Sequence, residues 1–321
     1  MIGRRRNLSI ERRELVIEVR SDRDVRVDHY LFHNMSWRSR NRVQTLIREG
    51  RVTVNGRPAK PSRRVRHGDV VTIRLSSGTG VPDDYDTRSF PTLYEDPWLL
   101  ALDKPAGILV HPVGRHVYDT LINYLHHRYH ASGPANKSIV PRLCHRLDRD
   151  TTGLLVVAKD LYVHREVSRQ FEGRHLEKSY LALAHGDVDP EKTMIDRAIG
   201  IGRSLDQALT NGVRRASRTS LGVLERYGSF TLLRASPETG RQNQIRIHLA
   251  AIGHPIAGDR RFGAPAPPPG FPGRYLLHSE RLRLYHPRLK CEIELEAPLP
   301  PDFQSALAIL GSKSAIETSS G

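Results

Sequence analysis

Among the residues of this chain able to do chemistry, one carboxylate stands out. In Pro141-Arg142-Leu143-Cys144-His145-Arg146-Leu147-Asp148-Arg149-Asp150-Thr151-Thr152-Gly153, Asp148 lies within two residues of both Arg146 and Arg149, and the run leads directly into the apolar stretch LLVVA. Neighbouring cations favour the charged form of a carboxyl group, and an ionised carboxylate in a positive field suits attack on a sugar held by its phosphates. The local spacing leaves a second reading open, in which an Asp and an Arg simply pair within a loop. No GxGxxG, phosphate-binding P-loop or metal-ligand spacing occurs, which argues against nucleotide-driven and zinc-dependent chemistry and for a reaction without a cofactor. Cys144 and Cys291 are the only cysteines and neither belongs to a CxxC pair, so free thiols in a reducing compartment are expected.

The elements that must position Asp148 follow from short strand signals separated by turns. YEDPWLLALDKPAGILVHP offers two extended pieces with Lys104-Pro105-Ala106-Gly107 as a tight connection between them. SYLALAHG, TSLGVLERY, SFTLLRAS, RLRLYHP and CEIELEAP supply further strands, several joined by short turns such as Tyr227-Gly228-Ser229, and short turns imply antiparallel neighbours. Helical patterns cover Tyr118–Arg128, His164–Glu172 and Gln242–Ile252. The class expected is α+β, with a mainly antiparallel sheet over residues 92–305. The Pro-rich insertion 264–273 carries no readable role, and residues 306–321 are expected to be a disordered tail.

Charge points to the partner. The formal net charge is +15 and the pI about 10.2, a surplus that suits a polyanion, most often nucleic acid. Residues 1–75 hold 19 Lys and Arg against 8 Asp and Glu, an asymmetry that a basic surface kept for solubility does not explain. No apolar run approaches the roughly 18 residues a membrane span needs, and the basic start lacks the apolar stretch of a secretory signal. A cytoplasmic monomer is expected.

After an extension over residues 1–25, a small module occupies residues 26–75. Two short helices come first. Ser39 is placed to cap the second, whose Val43, Leu46 and Ile47 fall at i, i+3 and i+4. Gly50 is suited to end it. Val52 and Val54 alternate before Asn55-Gly56, a strong hairpin signal, and VVTIRL is a further strand. Arg40, Arg42, Arg48, Arg51, Arg63 and Arg64 are the candidate phosphate contacts, giving affinity and salt dependence but little sequence information. Residues 76–91, rich in Ser, Gly, Pro and Asp, read as a linker.

Two resemblances sharpen these expectations. SRNRVQTLIREGRVTVNG followed by KPSRRVRHGDVVTI is similar to the S4-type RNA-binding domain. YEDPWLLALD with KPAG, HRLD with a following Thr-Gly and LLVVAK, TGRQNQIRIHL, and GHPIAGD, in that order over residues 93–300, resemble the RluA-type family of RNA pseudouridine synthases. Thr152 stands where the family usually has Ser, and Gln242-Asn243 where it has Thr-His. The resemblance implies that Asp148 is catalytic, that Arg246 is its basic partner, and that Tyr180 stacks on the flipped base. It further implies that His145, Arg146 and Thr152 shape the loop or touch RNA, that Gly240 and Arg241 approach backbone or phosphate, and that Leu277 lies beside the uracil.

The function so implied is conversion of uridine to pseudouridine in structured RNA, most often large-subunit ribosomal RNA. Asp148 would act as nucleophile at the anomeric carbon or as base at the adjacent sugar carbon, and sequence does not choose between them. A transfer-RNA pseudouridine synthase is the nearest rival. A non-catalytic RNA-binding or ribosome-assembly factor would need only the basic module. An N-glycosidase would ordinarily display two cooperating carboxylates, with only Asp150 close by.

Overall fold

A computed structural model of the chain describes residues 14–21, 23–34, 40–74, 88–113, 116, 118–131, 139–173, 175–189 and 194–318. The chain divides into two compact units, one built from residues 10–82 with 113–118 and one from residues 83–112 and 119–321. No helix among the described residues is long and apolar enough to cross a membrane.

The first unit runs β1 (Glu14–Glu18), β2 (Val25–Arg26), α1 (Val27–Asn34), α2 (Arg40–Arg48), β3 (Val52–Val54), β4 (Arg57–Pro58), β5 (Arg64–Val65) and β6 (Val70–Arg74). Its sheet has the order β1-β6-β3-β4, antiparallel throughout, with β2 and β5 paired separately. The i, i+3, i+4 stripe Val43, Leu46 and Ile47 is buried against Val27 and Leu31 of α1 and against Val52, Val54, Val71 and Ile73 of the sheet. Asn55 and Gly56 both have positive φ, 51° and 78°, the conformation that a two-residue hairpin turn demands. Part of the expected extension is structural: β1 pairs with β6 along its length, from Glu14↔Arg74 to Glu18↔Val70. Ser39 and residues 76–87 of the expected linker lie outside the described residues.

The second unit runs β7 (Thr92–Glu95), β8 (Leu99–Lys104), α3 (Leu121–Ala131), β9 (Arg142–Leu143), β10 (Thr152–Ala158), α4 (Leu161–Gly173), β11 (Glu177–His185), β12 (Met194–Asp196), α5 (Leu205–Thr210), β13 (Arg218–Tyr227), β14 (Phe230–Pro237), α6 (Gln244–Ala251), β15 (Leu277–His286), β16 (Cys291–Glu296) and α7 (Pro301–Thr318). The sheet order is β12-β13-β14-β11-β15-β10-β8-β7, with β16 on β15 and β9 on β10. Every pairing is antiparallel except β10 with β15, so the α+β class with a mainly antiparallel sheet holds. Strand β10 explains its unbroken apolar run: Leu155 and Val157 enter one core with Leu100, Leu102 and Leu121, and Leu154 and Val156 enter another with Leu99, Val163 and Leu282. A strand covered on both faces does not alternate.

Two expectations are corrected here. KPAG does not join two strands; β7 and β8 both precede it, connected through Asp96, whose Oδ1 accepts from the Trp98 and Leu99 N–H groups. Ile108 and Val110 beyond it are buried but lie in no strand, so their apolar character serves core packing. The segment 306–321 is helical through Thr318, as the end of α7, and Ala306 and Leu310 are buried with Phe303.

Candidate active site

Asp148 sits on the loop between β9 and β10. The buried side chain of Lys104, at the end of β8, pins that loop by donating from Nζ to the carbonyl oxygens of Pro105 (2.7 Å), Arg149 (2.8 Å) and Thr151 (2.9 Å). Burial pulls the Lys104 pKa down to about 7, against the opposing charges of Asp150 and Asp148. Three carbonyl acceptors match the three N–H groups of an ammonium. At the far end of the loop, Gly153 has φ +99°, and a Cβ there would collide with the Ser279 carbonyl oxygen. That is why Gly stands where β10 meets β15 in register Gly153↔Ser279.

Arg246 comes from α6, a helix whose residues Gln244 through Ala250 are all buried, so it is no surface arginine. Its Nε and Nη2 hold the two oxygens of buried Asp259 at 2.7 and 2.8 Å, and its Nη1 donates to Asp148 Oδ2 at 3.2 Å and to Asn243 Oδ1 at 2.8 Å. The guanidinium lies 4.0 Å from the Tyr275 ring centroid and 4.9 Å from that of Phe262. Burial works to lower its pKa, but Asp259, Tyr275 and Asp148 together raise it above the ordinary arginine value. The Asp148 side chain is 31% exposed, against 7% for Arg246, so the carboxylate keeps an open side. The Tyr275 hydroxyl is 3.2 Å from Thr151 Oγ1, which ties the same ring to the loop.

Tyr180 on β11 pairs with Ser279 of β15 across a register shift between Ser179 and Tyr180, and Ser279 also faces Gly153 of β10. A bulge re-aims the side chain it carries. The Tyr180 hydroxyl bonds to Ser279, and its pKa is pushed up to about 12 by burial and by the Asp148 charge. Arg246 thus contacts Asp148 directly, and Tyr180 lies within reach of the Asp148 charge, although the three were assigned from distant motifs.

Comparison with known proteins bears on what this arrangement is for. The RNA pseudouridylate synthase family model matches residues 99–251, and the S4 domain model matches residues 25–71. The chain is 35% identical over 281 residues to the RNA pseudouridine synthase YlyB of Bacillus subtilis (strain 168), covering 87% of this chain and 91% of that protein. The chain belongs to the RNA pseudouridine synthases. The ribosomal large subunit pseudouridine synthase D of Nitrosomonas europaea is 36% identical to this synthase over 296 residues, covering 88% and 83% of the two chains. Human RNA pseudouridylate synthase domain containing 4 superposes with a TM-score of 0.56 at 25% identity, covering 68% of the synthase and 92% of that chain.

The remaining candidates of the synthase separate into two groups. His145 faces inward: its Nε2 accepts from the Val156 N–H at 3.0 Å, its ring stacks on Phe171 at 4.4 Å, and burial beside Lys178 lowers its pKa to about 3. Thr152 is buried with Oγ1 2.9 Å from His278 Nδ1, and Leu277 is buried in the cluster on which Tyr180 packs. These three shape the site from within. Arg146 is exposed, and Arg241 is half-buried with its backbone N–H on Gln244 Oε1.

In the S4 unit Arg48, Arg63 and Arg64 are exposed. Arg51 pairs with Glu49 at 3.1 Å, and Arg64 donates to the Asp24 carbonyl. The side chains of Arg40 and Arg42 lie outside the described residues. Sequence reasoning gave no role to Lys104, Asp259, Tyr275 and Asn243. The first two stood inside quoted motifs, KPAG and GHPIAGD. Asn243 stood at the departure from Thr-His, and its left-handed φ of 56° lets a short amide reach back to Arg246.

Proposed function

We propose that this synthase isomerises a uridine of large-subunit ribosomal RNA, with Asp148 as the reacting carboxylate. The bond from C1′ to N1 breaks, a bond from C1′ to C5 forms, the C5 proton leaves and N1 gains one, so nothing is oxidised or reduced. Asp148 meets the sugar, as nucleophile at C1′ or as base at the neighbouring carbon. Arg246 holds it by a charge-assisted hydrogen bond, and Tyr180 offers a ring against the detached base. A base inside a helix is inaccessible, so the uridine comes from a loop or is flipped out at a cost of a few kcal/mol. The observation that carries this reading is the Arg246 contact to a carboxylate that keeps an exposed side. Ribosomal RNA is favoured because relatives over most of the chain are named ribosomal large subunit pseudouridine synthase D. On this reading the S4 unit anchors the enzyme on RNA through its arginines, and the protein works as a cytoplasmic monomer.

The test is incubation of the purified protein with large-subunit rRNA transcripts and, separately, with tRNA transcripts, followed by pseudouridine mapping. Wild type should mark the rRNA, and Asp148→Asn should bind it equally and mark nothing. Product on tRNA alone would move the substrate, and full activity of Asp148→Asn would sink the assignment.

A further inference from the structure

On the reading of Asp148 as the reacting carboxylate, we propose that Arg274, aimed by Asp302 at the start of α7, is a positioning residue that fixes the backbone of the Asp148 loop. Arg274 lies just before β15, with its side chain 7% exposed against 42% for that of Asp302. Its Nε and Nη2 donate to the two Asp302 oxygens, each at 2.7 Å, and its Nη1 donates to the carbonyl oxygens of Asp150 at 3.3 Å and Tyr275 at 3.0 Å. The carboxylate on the helix sets the plane of the guanidinium, and that plane carries Nη1 to the loop.

Lys104 takes the carbonyls of Arg149 and Thr151, and Arg274 takes the one between them. Three successive carbonyls of the loop therefore each accept from a buried cation. Two cations on neighbouring carbonyls repel each other, and the Arg274 charge is among the causes that lower the Lys104 pKa. Tying down α7 does not account for this arrangement. Phe303, Ala306 and Leu310 already hold the helix in a core with Leu181, Leu183 and Leu276, and an ion pair with one half-exposed partner adds little to such packing. What the pair supplies is direction at Asp150.

The same arginine is joined to Arg246. Tyr275, whose carbonyl accepts from Arg274, sets its ring centroid 4.0 Å from the Arg246 guanidinium and its hydroxyl 3.2 Å from Thr151 Oγ1. Gly258 has φ +83°, and a Cβ there would collide with the Arg274 carbonyl oxygen. The backbone that carries Asp259 thus runs against the backbone that carries Arg274, and the Leu276 N–H donates to the Ala257 carbonyl at 3.0 Å. Two anchored arginines serve Asp148: the one held by Asp259 contacts its carboxylate, and the one held by Asp302 contacts its loop.

The experiment uses the full chain and a large-subunit rRNA transcript. Its readouts are the single-turnover rate at saturating RNA, the Kd, and tryptic cleavage after Arg146 and Arg149 in the free protein, mapped by mass spectrometry. Asp302→Asn keeps the size of the anchor and removes its charge. It should lower the saturated rate about 5- to 50-fold and leave Kd within about twofold, because a small displacement of a reacting group is costly while binding is untouched. Cleavage after Arg146 and Arg149 should quicken severalfold, since local opening of the loop governs it. Arg274→Lys should act likewise, because an ammonium keeps the charge but not the fork. Leu310→Ala removes packing from α7 away from the arginine; it should lower Tm at least as far as Asp302→Asn and keep the wild-type rate and cleavage. Full rates in Asp302→Asn and Arg274→Lys overturn the proposal, and so does a rate loss with unchanged loop cleavage. A rate that falls with Tm in Leu310→Ala also overturns it and makes the pair an ordinary helix tether. A wild type that forms no pseudouridine sinks the functional reading instead, and the cleavage comparison then still decides whether Asp302 orders the loop.

Discussion

Arg246 serves two carboxylates at once, Asp259 through Nε and Nη2 at 2.7 and 2.8 Å and Asp148 through Nη1 at 3.2 Å. The shorter, bidentate pair is the buried one, so Asp259 sets the plane of the guanidinium and Asp148 receives what that plane presents. Lysine has no fork and cannot reproduce this division. Arg246→Lys should therefore lower the saturated rate about 10- to 100-fold, the effect of losing one charged hydrogen bond of roughly 1.5 to 3 kcal/mol, with RNA affinity held within a few fold. Asp259→Asn should act in the same direction without touching Asp148. Single-turnover kinetics on an rRNA transcript decide it; a full rate in Asp259→Asn would show that the plane needs no such anchor.

Lys104 should be as demanding, for another reason. Its ammonium fills three buried carbonyl acceptors, and a buried acceptor left unmade costs roughly 1 to 3 kcal/mol. Lys104→Met should destabilise by about 3 kcal/mol or more, seen as a lower denaturant midpoint, and should disorder the Asp148 loop. The pH dependence has a definite sign. With the folded pKa near 7 and the ordinary lysine value roughly 10.4, the unfolded chain holds the extra proton between these limits. Global stability therefore rises with pH there. Over the same window a neutral amine has two N–H groups for three carbonyls, so the turnover rate should decline through about pH 7 to 8. A rate flat from pH 6 to 9 would mean the loop does not depend on that third donor.

Much of this was legible in the residues and some was not. The i, i+3, i+4 stripe of α2 and the Asn55-Gly56 turn carry local signals, and both landed where periodicity put them. The KPAG segment misled because Ile108 and Val110 look extended while being merely buried, and periodicity does not tell packing in a core from pairing in a sheet. The tail misled because α7 is held by Phe303, Ala306 and Leu310 against the sheet, a tertiary contact that composition does not announce. Asp148, Tyr180 and Arg246 were found through motif resemblance, since residues 148 and 246 meet only through the fold. Asp259, Tyr275 and Asn243 were missed because each acts by holding Arg246, and a supporting contact has no sequence spacing of its own.

Gly153 tests the junction between the loop and the sheet. Its φ of +99° and the Ser279 carbonyl facing its Hα side combine two separate costs, a strained backbone and a steric clash with another backbone. Gly153→Ala should lose about 3 kcal/mol or more, a fall in Tm of roughly 6 to 12 °C for a unit of this size. It should also weaken protection of the β10 and β15 amides in hydrogen exchange. Retention of wild-type Tm would mean that β10 and β15 can separate at Gly153 without consequence for the fold.

In the S4 unit, Asp28 joins α1 to α2, the helix that carries the candidate phosphate contacts Arg40, Arg42 and Arg48. It is buried at the start of α1, bound by Arg26 through two hydrogen bonds of 3.0 and 2.9 Å, and it accepts from Gln44 of α2 at 3.2 Å. Arg26 chiefly, against the opposing effect of burial, holds its pKa down to about 2. A folded pKa below the unfolded value of roughly 3.9 means that the contribution is complete above that value and is lost as pH falls from about 4 toward 2. The linkage amounts to roughly 2 kcal/mol. Hydrogen exchange at the Val43, Leu46 and Ile47 amides should accelerate over that window beyond the intrinsic pH dependence. Asp28→Asn should be less stable at neutral pH and should lack the acid step. If the two proteins lose protection in parallel as pH falls, Asp28 is not the group whose protonation loosens α2, and the Arg26 pair is a surface contact of no consequence to it.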